Sequence, residues 1–269
     1  MRFGQHYYLH RFWISKGMRK VVADPGIFKG KYPGDEFGMS TAAANAVRYW
    51  LKAFELIKED RTGACLTDFG ELIYQNDPYI EEEATLLFLQ YKIATNREKA
   101  TAWYLFFNKF DMPEFTREDF VSRFSEYSEP ANLELDFRAI LNTYIPSGGE
   151  PEDNTDCPLS DLGLIKRSRT GIYCKSRSKH FYEPRALLAA AFAFAGDRRE
   201  INLSRFFHDT GSIGKIYNMD VGSVLDFIRS VSDEMCLVRT SGIDTVRISK
   251  NRSFNECVNL YYKILITCD

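Results

Sequence analysis

Four side chains at helical spacing are the first candidates for chemistry. Within "TAAANAVRYWLKAFELIKEDRTGACLTDFGELIY", Thr41, Asn45, Arg48 and Lys52 recur in steps of four, three and four. A helix over Thr41 to Lys58 gathers them into one stripe. A hydroxyl, an amide and two cations are groups that contact base edges and phosphates in a major groove. Val47, Trp50, Leu51, Phe54 and Ile57 form a second, apolar stripe that belongs to a core. Thr62-Gly63 reads as a turn after this helix, and Leu66-Thr67 starts a new element. Helix, helix, turn, helix and short hairpin is the order of a winged helix-turn-helix. Winged helices also bind proteins, and every amphipathic helix has a polar face, so a protein partner for this stripe stays an alternative.

A second candidate is "LIKRSRTGIYCKSRSKHFYEPR", Leu164 to Arg185. Lys166, Arg167, Arg169, Lys175, Arg177, Lys179 and Arg185 stand against one acid, Glu183. Tyr173, Phe181 and Tyr182 are interleaved with them. Cations with aromatics suit a phosphate backbone and unstacked bases. A solvated hairpin with no ligand is the equal alternative.

Catalytic signals are weaker. No glycine-rich phosphate loop and no GxSxG occurs. The "GIY" at Gly171 to Tyr173 lacks the second half of the nuclease motif it resembles. His6 and His10, four apart, supply half a metal site at most. Asp24, Asp77 and Glu81 to Glu83 are carboxylates by type only, and helix capping accounts for the last group as well. The six cysteines, Cys65, Cys157, Cys174, Cys236, Cys257 and Cys268, contain no CxxC pair and read as thiols in a reducing compartment. A shared metal on Cys157, Cys174 and His180 is the minor alternative. Catalytic and metal-binding residues therefore stay unassigned.

The elements that must position these residues are mostly helical. The N-terminal half carries helical patterns at "HYYLHRFWISKGMRKVVAD", "DPYIEEEATLLFLQYKIAT", "TAWYLFFNKF", "FTREDFVSRFSEYS" capped by Thr116, and "NLELDFRAILNTYI". "PSGGEPEDNTDCP" crowds Pro, Gly and acids with almost nothing to bury, and reads as a linker. The expected organisation is a helical domain with a winged helix-turn-helix at 1–145, a linker at 146–158, and a winged-helix-like domain at 159–269. In the last, "EPRALLAAAFAFAG", "LSRFFHD" and "DVGSVLDFIRSVSDE" are helical, "TGSIGK" is a turn, and "CLVRTSGIDTVRIS" is a hairpin across Ser241-Gly242. Its third helix exposes Asp226, Arg229 and Asp233, a mixed face better suited to protein than to phosphate. The fold class is mainly α, of the α+β type.

Composition sets the outer limits. The chain has 269 residues, 45% hydrophobic and 14% aromatic, enough for a substantial core. Its net charge is -2, so contact with nucleic acid must come from local patches. No run has the roughly 18 apolar residues of a membrane span, and the start lacks a signal-peptide core. A cytosolic protein is expected.

Several stretches together resemble one bacterial family, the SspB-like proteins, a domain of initially unknown function beside DNA phosphorothioation and phage-defence genes. They are "RYWLKAFELI", "LTDFGELIY", "DPYIEEEATLLFL", "TAWYLFFN" and "DCPLSDLGLI". The resemblance implies a DNA-nicking endonuclease of an antiviral, restriction-modification-like system. It implies DNA, a cysteine desulfurase, an ATPase and a reductase-like sulfur-transfer enzyme as partners, and Mg²⁺ or another divalent metal if the chain nicks. A homodimer is compatible with paired winged helices. One departure stands out. In the family the opening histidine tends to precede an acid, whereas Tyr7 and Tyr8 follow His6 here, which puts nicking in question. The alternatives are a non-catalytic winged-helix adaptor or transcriptional repressor, and a protein-binding scaffold of the same machinery.

Overall fold

The computed structural model describes residues 8–147, 156–176, 183–240 and 242–268. Expected features at His6, Arg177, Lys179, His180, Phe181, Tyr182 and Ser241 lie outside them. The N-terminal part runs α1 (Trp13–Ala23), α2 (Pro33–Phe37), α3 (Thr41–Ala53), β1 (Ile57–Glu59) and β2 (Ala64–Leu66). It continues with α4 (Asp68–Asn76), α5 (Glu83–Thr95), α6 (Thr101–Lys109), β3 (Glu114–Phe115), α7 (Arg117–Phe124) and α8 (Pro130–Tyr144). A 3-10 turn at Pro158–Leu162 leads into β4 (Ile165–Arg169) and β5 (Ile172–Lys175). The chain then forms α9 (Pro184–Ala195), β6 (Glu200–Asn202), α10 (Arg205–His208) and α11 (Ile213–Ile216). It ends with α12 (Val221–Ser230), β7 (Met235–Thr240), β8 (Ile243–Ile248) and α13 (Phe254–Cys268). The chain is thus α+β, with helices dominant among the described residues.

The strands form a hairpin β1-β2 and two three-stranded sheets, β3-β5-β4 and β6-β8-β7. All described pairings are antiparallel. The first of these sheets draws β3 from one side of residues 146–158 and β4 and β5 from the other. The hydrophobic core likewise runs through both parts. Strands and core therefore continue across the segment placed between the two expected domains.

α5 lies at the centre, with every residue from Ala84 to Gln90 buried. α6, α9, α11 and the Pro158–Leu162 turn pack on it. α13, for which the sequence carries no expectation, packs against α9 and α4. "TGSIGK", expected as a turn, holds α11, whose cap is the Ser212 hydroxyl accepting from Lys215 N. The expected cap at Thr116 is a reciprocal capping box with Asp119.

The expected helix over Thr41 to Lys58 ends at Ala53. Glu55 takes a left-handed φ of 57°. Leu56 N donates to Leu51 O at 2.8 Å and Glu55 N to Lys52 O at 3.1 Å. That pair of bonds is the Schellman ending, here with glutamate in the place usually held by glycine. It turns the chain so that Ile57 to Glu59 runs as a strand.

α4 seats the hairpin from beneath. The Thr67 hydroxyl accepts from Gly70 N at 3.0 Å and donates to Glu55 O at 2.6 Å. A Cβ at Gly70 would lie 2.0 Å from Leu56 O, a backbone atom. Gly70→Ala should therefore destabilise the protein by about 1–3 kcal/mol or more, because backbone cannot give way as a side chain can. Urea unfolding reads the effect, and an unchanged midpoint would mean that α4 is not pressed on the turn after α3.

Candidate nucleic-acid interface

α3 is capped by Ser40, whose hydroxyl accepts from Ala43 N at 3.1 Å. Val47, Trp50 and Leu51 of its apolar stripe are buried, and Phe54 and Ile57 beyond its end are buried too. On the other side Thr41 and Asn45 are exposed. Arg48 and Lys52 keep 40% and 32% of their side-chain surface. The four predicted residues therefore do share one accessible face.

That face holds a carboxylate the sequence did not pair with it. Glu59 of β1 accepts from Arg48 Nε at 2.5 Å, Arg48 Nη2 at 3.0 Å and Lys52 Nζ at 2.6 Å. Burial pushes the Glu59 carboxyl up, but the bonds and charges of Arg48 and Lys52 more than reverse this and hold it below its ordinary value. The Arg48 guanidinium also lies 5.8 Å from the centre of the Phe28 ring.

The hairpin tip is built as firmly. Asp60 Oδ1 accepts from Thr62 N, Thr62 Oγ1 and Gly63 N. Ala64 N donates to Pro25 O at 2.8 Å, and Lys29 Nζ donates to Arg61 O at 2.5 Å. A Cβ at Gly63 would meet Pro25 O at 2.3 Å, so glycine permits this contact. Lys29, Lys31, Lys58 and Arg61 are exposed around it, and Tyr32 is 57% exposed.

The second predicted patch divides. Lys166, Arg167 and Arg169 are exposed on β4, the edge strand of its sheet. Arg167 lies 6.0 Å from the centre of the Tyr173 ring. Gly171, with φ 74°, makes the turn into β5, which is the structural place of the "GIY" residues. Arg185 is exposed near the start of α9.

Lys175 faces inward instead. Its ammonium donates to Phe106 O at 2.8 Å and Phe110 O at 2.5 Å, at the end of α6 where helix carbonyls lack partners. It also lies 4.6 Å from the centre of the Phe106 ring. Burial pushes this ammonium down to about 7, with Asp111 pulling it up and Lys215 adding to the fall. Lys175 thus lines a cavity of about 410 Å³ that also holds Asp111, His208, Lys215, Asn218 and Asp220. Lys215 pairs with Asp111 there. Sequence spacing gave no signal for this cluster, since its members come from five separate segments.

The other candidates resolve individually. Asp77 accepts from Glu81 N at 2.9 Å and Glu82 N at 3.0 Å, ahead of α5. Asp24 accepts from Gly26 N at 2.7 Å after α1. His10 packs on Trp13 with ring centres 4.7 Å apart. Cys65, Cys157, Cys174, Cys236 and Cys257 are free thiols, and burial pushes Cys157 up to about 12. Among the described residues no three His, Cys, Asp or Glu side chains converge as a metal set. Sequence reading also missed Asp136 on α8, whose carboxyl burial pushes up to about 7, and whose charge helps raise the Tyr49 phenol.

A family model described as a protein of unknown function, DUF4007, matches residues 3–262. The fold is also that of two solved structures. A crystal structure of SspB superposes with a TM-score of 0.82 at 21% identity, covering 99% of this chain and 87% of that one. A magnesium ion-bound SspB structure gives 0.84 at 20% identity, with the same coverage. At such identity the likeness is one of fold. No curated protein matches the chain.

The inward lysine makes stability depend on pH. Its folded value of about 7 lies below the roughly 10.4 of an unfolded lysine. Between those values the unfolded chain binds more protons than the folded one, so this group makes stability rise with pH. The neutral amine still offers one N–H to each carbonyl. Lys175→Met should flatten that rise, read by urea unfolding at about pH 7 and about pH 9. An equal rise in both proteins would place the titrating group elsewhere.

Proposed function

The chain belongs to the DUF4007 family, and we propose that it is the DNA-binding component of a phosphorothioation-linked antiviral system, nicking DNA so that sulfur can enter one strand. The observation that carries this reading is the exposed polar stripe of α3. It sits within the order α1, α2, α3, hairpin β1-β2, the order of a winged helix-turn-helix. Thr41, Asn45, Arg48 and Lys52 face the duplex. The exposed Lys29, Lys31 and Arg61 and the β4 cations supply the backbone contacts.

The C-terminal elements suit the same architecture. α9, β6, α10, α11, α12, β7 and β8 follow one another, and β6 lies beside β8 rather than β7. This order supports reading the C-terminal elements as a winged helix. Asp226 and Arg229 of α12 pair with each other at 2.8 Å, a neutral combination that favours a protein partner. The desulfurase, ATPase and sulfur-transfer enzyme of such a system are the partners proposed for it. No helix of the described residues is long and apolar enough to cross a membrane.

The related SspB binds magnesium ion, but the described residues of this chain offer no three-ligand set, so no step is assigned to a metal. The exposed α3 stripe serves equally a second reading, a winged-helix adaptor or repressor without catalysis.

Supercoiled plasmid separates the two. Conversion to open circle that needs Mg²⁺ or Mn²⁺ and stops with EDTA supports the nickase. A mobility shift without conversion supports the adaptor, and neither effect supports a protein scaffold. Substituting Lys166, Arg167 and Arg169 together by Ala should lower the slope of log affinity against log salt by about 2–3, close to 0.9 per lost phosphate contact. An unaltered slope removes β4 from the interface.

A further inference from the structure

Resting on the reading that α3 faces duplex DNA, we infer that Arg48 reads a guanine edge in the major groove, and that Glu59 and Phe28 hold it in the pose for doing so. Arginine has five N–H donors arranged as forks. Arg48 spends one fork, Nε with Nη2, on Glu59 at 2.5 and 3.0 Å. The end-on fork of Nη1 with the second hydrogen of Nη2 is left over. Guanine O6 and N7 are two coplanar acceptors that match such a fork.

The surroundings favour a base over a phosphate. A phosphate binds chiefly through unbalanced positive charge. At this site one carboxylate, its side chain only 15% exposed, already serves both Arg48 and Lys52. The cluster of three ionised groups therefore carries a single net positive charge. Offsetting the charge costs little to base recognition, which depends on donor geometry. The Phe28 ring at 5.8 Å and the two bonds to Glu59 fix the guanidinium plane. Fixing the plane in advance lowers the entropy lost on docking. Lys31, Lys58 and Arg61 are exposed and have no carboxylate partner among the salt bridges of the described residues, so they are better suited than Arg48 to a phosphate. Arg48 also lies one and two turns along from the exposed Asn45 and Thr41, at the end of a helix face whose opening residues reach base edges in helix-turn-helix proteins.

The test uses the full chain and a random-sequence duplex pool, with affinity for one selected and one unselected duplex measured across salt. Wild type should select guanine at one position. Arg48→Lys keeps the charge and loses the fork, so it should lose about tenfold of that preference. Its affinity for unselected duplex should fall by less than its affinity for the selected one. Glu59→Gln keeps the shape and frees positive charge. It should tighten unselected binding, steepen the salt slope by about 1, and weaken the guanine preference. Thermal unfolding confirms that each variant is folded, and Arg48→Lys retains an ion-pairing group for Glu59. The inference is overturned if Arg48→Lys leaves the preference intact. It is equally overturned if Arg48→Ala lowers affinity for every sequence alike while flattening the salt slope by about 1, the signature of a phosphate contact. A folded wild-type chain that binds no duplex at all overturns the DNA reading itself, and this inference with it.

Discussion

Burial of α5 on every side is the constraint on which the rest depends. A helix without a solvent face must satisfy each polar side chain it carries from its neighbours. Gln90 donates to Ile216 O at 2.9 Å and accepts from the Tyr144 hydroxyl at 2.6 Å. Thr85 shares a hydrogen bond of 2.5 Å with Tyr262, and Tyr217 donates to Leu87 O at 3.0 Å. These bonds tie α8, α11 and α13 to the same helix. Removing one member strands a buried group, at a cost of about 1–3 kcal/mol. They also bind early and late parts of the chain into one packed body, with partners as far apart as Thr85 and Tyr262.

The same helix reaches the candidate interface through its far end. Lys92 pairs with Glu55 at 2.7 Å, and Asn96 donates to Ala53 O at 3.0 Å. Both contacts act on the last turn of α3, where Glu55 leaves the helix. The reversal there sends β1 back alongside the polar face of α3 and brings Glu59 to Arg48 and Lys52. Contacts from the far end of α5 therefore set the geometry of three ionised groups at the surface. In a chain of net charge -2, such local arrangement governs what an anionic ligand meets, because screening confines surface charges to about 8–10 Å.

The fate of the basic residues shows how far composition can be trusted. Lys166, Arg167 and Arg169 stay in solvent on β4, the edge strand of its sheet. Lys175, only a few residues on, is drawn inward by the bare carbonyls at the end of α6 and by the Phe106 ring. Its long apolar stem makes that burial affordable, while its charge is compromised by it. The carboxylates divide for a related reason. Asp77 is consumed by the Glu81 and Glu82 amides just ahead of α5, whereas burial pushes the Asp136 carboxyl up and favours its acid form.

Much of this was legible in the sequence, where the physics is local. The apolar stripe of α3, the Thr116 cap, the α9 boundaries at Pro184 and Gly196, and the β7-β8 hairpin all follow from periodicity and from residues within about four positions of each other. The face shared by Thr41, Asn45, Arg48 and Lys52 was legible for the same reason. The end of α3 was not, because Glu55 holds the left-handed place usually marked by glycine, and its partner Lys92 lies in another helix. The inward turn of Lys175, the clasp of Glu59 on two cations and the pairing of β3 with β5 were decided only by tertiary structure. Each depends on groups distant in sequence meeting in a low-dielectric or crowded setting, and residue type and spacing carry no record of that meeting.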